Sequence, residues 1–222
     1  MAAFICSDTV LLDISGGPET VANALEGAAK TLGCDLCVLV DVGGDVLAHG
    51  DEPGLASPLC DAVMLAAAAR LSERLPTLTA VYGAGCDGEL TPDEVLERIA
   101  ELARAGALLG AWGLTTAVAE QIEAAARAVP TEASLMAVRC ARGETGTVQI
   151  RSGKRTVELT PLGALTFFFD PAIAVRQAAP LARAVEDASS LEAAQATLAA
   201  AGVRTELDIE RERALKAKSG AE

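Results

Sequence analysis

Asp41 and Asp45 bracket the pair Gly43-Gly44, and the chain's only histidine, His49, follows with the acidic pair Asp51-Glu52. Five ionisable side chains and four glycines therefore fall in one short stretch between an apolar run and an Ala-rich segment. Glycines permit sharp turns and close approach of backbone to a ligand, and the Gly43 and Gly44 N–H groups are candidates to hold an oxyanion. Carboxylates crowded into a cleft can keep one member basic enough to take a proton from an ammonium group. His49 can shuttle a proton or ligate a metal. Asp41, Asp45, His49, Asp51 and Glu52 are thus the candidate catalytic residues. All five are also competent metal ligands, but their spacing matches no standard ion loop, and the sequence calls for no metal and no cofactor. The competing reading is a turn whose Asp residues cap backbone groups.

The elements that must position these residues follow from the apolar pattern. Leu36 to Val42 is a continuous Val/Leu run, the mark of a buried strand, so Asp41 stands at a strand's carboxyl end, where open α/β sheets bind ligands. Pro58 to Leu75 reads as a helix that is apolar nearly all round and hence well buried. Before them, VLLDIS within Phe4 to Ser15 reads as a strand that would place Asp13 at an equivalent ligand-binding position, and a helix starting near Pro18 should end at Gly33. After them come a strand at Leu78 to Gly83 and a turn at Gly85 to Gly88. Thr91-Pro92-Asp93-Glu94 has the form of a capping box. Helices are expected from Asp93 to about Ala128, broken at Gly110 to Gly113. Thr147 to Leu159 reads as a β-hairpin and Leu165 to Phe169 as a short strand stopped by Pro171. Helices over Pro171 to Ala188 and Leu191 to Ala201 precede a charged tail expected to fray past Arg213. The whole is an α/β fold, a mostly parallel sheet flanked by helices, with a β-hairpin and a helical C-terminal part. It forms one domain over residues 1–213.

Bulk properties narrow the function. The 222 residues carry a net charge of −13, and aromatic residues make up only 3%. Such acidity speaks against nucleic acid or anionic membranes as partners and suits a cationic or amine-bearing small molecule. No signal peptide or membrane-spanning run is present, so a cytoplasmic location with reduced cysteines is expected. The six cysteines lie in apolar contexts and read as small core residues, Cys34 and Cys37 included despite their CxxC spacing. There is no phosphate loop, no dinucleotide fingerprint and no nucleophile elbow. Arg151, Lys154 and Arg155 cluster at the hairpin tip; Arg151 is the candidate contact for an anionic group.

The segment VDVGGDVLAHGDEPGLASPLCDAVMLAA resembles a little-characterised bacterial and archaeal family of unknown function, and TPLGALTFFFDPAIAV and LAAAGVRTELDIER are similar to its C-terminal part. The resemblance runs from about Leu11 to Arg211. Members of that family begin with a glycine-rich strand-turn-helix for which this chain shows no counterpart. The resemblance therefore implies an obligate partner chain that supplies such a unit and completes the sheet. That arrangement looks like the two-subunit enzymes that close aziridine rings in azinomycin-type antibiotic biosynthesis. It implies an enzyme subunit on which an amine displaces a neighbouring sulfate while a carboxylate takes the proton. A non-catalytic scaffold subunit and a metal-dependent hydrolase are the rival expectations.

Overall fold

The computed structural model describes residues 4 and 7–219. The described elements, in chain order, are α1 (Gly17–Leu32), β1 (Cys37–Val42), a 3₁₀ turn (Asp45–Leu47), α2 (Pro58–Leu71), β2 (Thr77–Tyr82), α3 (Pro92–Arg104), β3 (Leu108–Gly113), α4 (Thr116–Ala128), α5 (Glu132–Ala141), β4 (Gly146–Ile150), β5 (Arg155–Leu159), a second 3₁₀ turn (Pro161–Ala164), β6 (Leu165–Phe169), α6 (Pro171–Gln177), α7 (Pro180–Val185), α8 (Leu191–Ala200) and α9 (Glu206–Ser219). The fold is α/β, as the hydrophobic pattern requires. A four-stranded mixed sheet has the order β1-β2-β6-β3, and β4 and β5 form a separate antiparallel hairpin. β1 and β2 pair in parallel, while β6 enters antiparallel between β2 and β3. β1, β2 and β3 therefore all point one way.

Local chemistry explains most boundaries. Gly33 closes α1 in a left-handed conformation, its φ being 68°. The capping box at α3 forms as expected: Thr91 Oγ1 accepts from the Glu94 N–H at 3.2 Å, and Glu94 returns the bond to the Thr91 N–H at 2.7 Å. α2 is buried on nearly every side, with Leu59, Val63, Leu65 and Leu71 in the core. It packs on α1, α6 and α7 and against the sheet. The α9 carboxylate of Glu206 reaches back to accept the Leu59 and Cys60 N–H groups, satisfying the open amino end of α2.

Several expectations are corrected. VLLDIS forms no strand: residues 8–14 have no regular structure and Leu11 is 99% exposed. A short apolar run becomes a strand only when a neighbour pairs with it, and none of the ladders includes it. The glycine break at Gly110 to Gly113 is instead part of β3, which β6 recruits from more than fifty residues away in sequence. The first C-terminal helix is two, α6 and α7, because Pro180 cannot continue the hydrogen-bond ladder of its predecessor. Of the cysteines, Cys86 and Cys140 are buried as expected, but Cys34 and Cys60 are exposed and Cys37 is half-buried, all as free thiols; Cys6 lies outside the described residues.

The two faces of the sheet differ. Register puts Leu39, Asp41, Thr79, Val81, Phe167 and Phe169 on the face that the helical layer covers. Val38, Val40, Phe168 and Trp112 lie on the other. There Val38, Val40 and Trp112 are exposed, and Trp112 meets Phe168 edge-on with ring centroids 6.4 Å apart.

Candidate functional site

The parallel pairing of β1 with β2 brings two loops together at the sheet's carboxyl ends. Gly43 donates its N–H to the Tyr82 carbonyl at 3.0 Å, and its own carbonyl accepts from Gly85 at 2.8 Å. Gly43 is at φ 122°, and a Cβ there would fall 2.1 Å from Asp87 Oδ1, so only glycine lets the two loops close on each other. Asp41 accepts the Gly44 N–H at 2.8 Å. Both glycine N–H groups are thus spent within the protein, and the expectation that Gly43 and Gly44 form an oxyanion hole is corrected.

The result is a knot of five carboxylates. Oxygens of Asp41, Asp45 and Asp61 lie within 4.8 Å of one another, and so do those of Asp45, Asp87 and Glu89. Asp45, 5% exposed, belongs to both sets. Asp61 comes from the first turns of α2, and Asp87 and Glu89 from the loop after β2. The hairpin supplies the cation: Arg155 sits 2.6 Å from Glu89 and 3.4 Å from Asp87. Glu89 also accepts the Ala56 and Ser57 N–H groups at 2.7 and 2.9 Å and the Ser57 hydroxyl. A cleft of about 290 Å³ borders this group, lined by Glu89, Glu94, Thr147, Thr156 and Glu158 among others.

Proton affinities follow from crowding. Burial, then the charges of Asp41 and Asp61, pushes Asp45 up to about 12, so it stays protonated at neutral pH. Burial and the charges of Asp61 and Asp87 hold Asp41 well above the ordinary carboxylate range. Burial raises Asp61 to about 7, against a hydrogen bond from Asp45, and raises Asp87 to about 6. Glu89 is the exception. Burial would raise it too, but the Ser57 hydroxyl, the Ala56 N–H and Arg155 outweigh that and hold it low. The knot thus carries both protonated and ionised carboxyl groups near neutrality, the condition for proton transfer.

The remaining candidates go elsewhere. Glu52 accepts the His49 and Gly50 N–H groups, each at 2.8 Å, and faces Arg98. The His49 ring lies 2.7 to 2.9 Å from the Arg98 guanidinium and 2.9 Å from Glu101. His49 and Glu52 therefore form a second cluster with α3. Asp51 is exposed. Asp13 is exposed too and only accepts the Ser15 N–H ahead of α1. Arg151 occupies the hairpin turn at φ 52°, its N–H bonded to Glu132 at 2.8 Å, and Arg155 is the arginine that reaches the acids. Asp61, Asp87, Glu89 and Arg155 are the members that sequence reasoning did not select. Asp61 had a signal, as the only charge in the first three turns of an otherwise apolar helix. Asp87 and Glu89 echo Asp41 and Asp45, two acids around glycine after a parallel strand.

A family model described as "Protein of unknown function (DUF1152)" matches residues 1–214. The chain belongs to the DUF1152 family. No curated protein and no solved structure matches this DUF1152 chain. Its described helices include none long and apolar enough to cross a membrane.

Proposed function

We propose that this chain is the subunit of a heteromeric biosynthetic enzyme that acts on a small amine-bearing metabolite. The observation that carries the reading is the carboxylate knot, five acids against one guanidinium beside a cleft that is itself acidic. An ammonium group entering the cleft meets Glu89, which is held ionised; Asp87, buried beside it and sharing Arg155, has an affinity near 6 that suits it to take a proton passed through Glu89. In the sharper form of the proposal the freed amine attacks the adjacent carbon as the carbon–oxygen bond to sulfate breaks. The amine proton passes to the carboxylate, and sulfate departs as the anion. Arg155 is committed to Asp87 and Glu89, so the sulfate subsite falls to other groups, and a partner chain is the proposed source. The exposed Val38, Val40 and Trp112 of the open sheet face support such a partner.

The test is a calorimetric and thermal-shift screen of small amines against their N-acetylated forms, followed by sulfate release from vicinal amino-sulfate esters with and without candidate partner chains. Amines should bind and their acetylated forms should not, and Asp87→Asn should abolish turnover while the fold persists. Equal binding of both forms, or full turnover by Asp87→Asn, overturns the reading.

A further inference from the structure

The inner half of the knot opens on a different space from the outer half. β1 and β2 pair with Leu39 beside Thr79 and Asp41 beside Val81, so Asp41 and Thr79 project from the same covered face, beneath α2. A cavity of about 210 Å³ lies there, lined by Leu39, Asp41, Val46, Asp61, Met64 and Thr79. Such a volume accommodates an ion with several waters.

Two independent observations bear on its occupant. The first is the close grouping of Asp41, Asp45 and Asp61, whose oxygens lie within 4.8 Å of one another. Oxygens on opposite sides of a Mg²⁺, Mn²⁺ or Ca²⁺ ion stand about 4–5 Å apart, so the spacing is that of donors around one such ion. The second is Thr79. It is 2% exposed, and its hydroxyl has no hydrogen-bond partner among the described residues. An orphaned buried hydroxyl costs about 1–3 kcal/mol, and valine would fill the same volume without that cost. Acids and an unpartnered neutral hydroxyl among the residues that line one cavity both ask for a polar, positively charged occupant. The donors are all oxygen, with no imidazole or thiolate among the lining residues, which selects a hard cation over zinc or copper.

We infer that the cavity beneath α2 binds one divalent hard cation, Mg²⁺ or Mn²⁺, through the carboxylates of Asp41 and Asp61, which line it, and of the adjoining Asp45, with the Thr79 hydroxyl as a neutral donor. The sequence alone calls for no cofactor; the folded arrangement does. Asp45 borders both halves of the knot, but Asp87, Glu89 and the cleft take no part in the inference, so it fails separately from the amine reading.

Titration of the full metal-stripped chain with Mn²⁺, followed by calorimetry and by the Mn²⁺ paramagnetic resonance signal, tests it. The wild type should bind one ion per chain and melt at a higher temperature when loaded. Asp61→Asn should weaken binding at least about tenfold, and Asp51→Asn, an exposed acid, should leave it unchanged. Thr79→Val should weaken it measurably while Thr79→Ser retains it, a contrast that serves even if the Asp61 variant fails to fold. Absence of stoichiometric binding by the wild type, equal affinity in wild type and Thr79→Val, or equal losses from Asp61→Asn and Asp51→Asn each overturn the proposal.

Discussion

The loop between β1 and α2 feeds two charged clusters, and they are built on opposite principles. Around His49, the Glu52 carboxylate is closed by two backbone N–H groups and faced by Arg98, which also bonds Glu101 at 2.7 Å. Glu52, Glu101 and the exposed Glu97 there meet a guanidinium and an imidazole, and the cluster clasps the loop to α3. Around Asp45, five carboxyl groups crowd together and a single guanidinium, that of Arg155, reaches only Asp87 and Glu89. Each carboxylate of the first cluster faces a cationic or N–H group of the protein itself. The second lacks cations, and its crowding is relieved by raising the proton affinities of Asp41 and Asp45 rather than by pairing. The imbalance, rather than the number of ionisable groups, separates a site from a brace.

Arg155→Met should sharpen that contrast most. It strands Asp87 and Glu89 without their cation, a loss of about 3–5 kcal/mol. For a chain of this size that lowers the melting temperature by roughly 8–15 °C at pH 7.5. The drop should shrink at pH 5, where Asp87 takes up a proton. Next in size is the pH dependence of the metal-stripped protein. Asp61 is raised from its ordinary 3.8 to about 7 in the fold, so the folded state binds its proton more tightly. Stability should therefore fall as pH rises from about 4 through 7, by up to about 4 kcal/mol from this group. Asp61→Asn should flatten that part of the profile, and a profile unchanged by the substitution would contradict the crowding. Arg98→Met should cost less, about 1–2 kcal/mol, because Glu52 keeps its two backbone donors. A loss equal to that of Arg155→Met in thermal melts would break the comparison. Asp51→Asn, at the surface, should shift stability by no more than about 0.5 kcal/mol and leave any turnover untouched.

What could be read from the chain and what could not follows from the same geometry. The strand ending at Asp41, the buried α2, the capping box at Thr91 and the hairpin each rest on local pattern, and each is found. Asp41 and Asp45 were legible because the signal, acids around paired glycines at a strand end, is also local. His49, Asp51 and Glu52 neighbour them only in sequence; the 3₁₀ turn at Asp45–Leu47 and the bond from Gly50 to Glu52 direct them elsewhere. Asp87, Glu89 and Arg155 arrive from β2 and β5, and nothing local in the sequence gives the β1–β2 register or the seat of the hairpin. Residue 88 shows how close that seat is, since a Cβ on Gly88 would fall 2.9 Å from the Thr156 carbonyl. Gly110 to Gly113 carries the local signal of a helix break, and the place of β3 depends on pairing with β6.

The open sheet face carries the chain's only tryptophan, Trp112, at 77% exposure. An indole so placed is a natural optical probe. Its emission should be red-shifted in the isolated chain and move to the blue when another surface excludes water from Phe168 and its neighbours. The chain therefore reports on the covering of that face without a label, and it does so through a strand that contributes none of the five carboxylates.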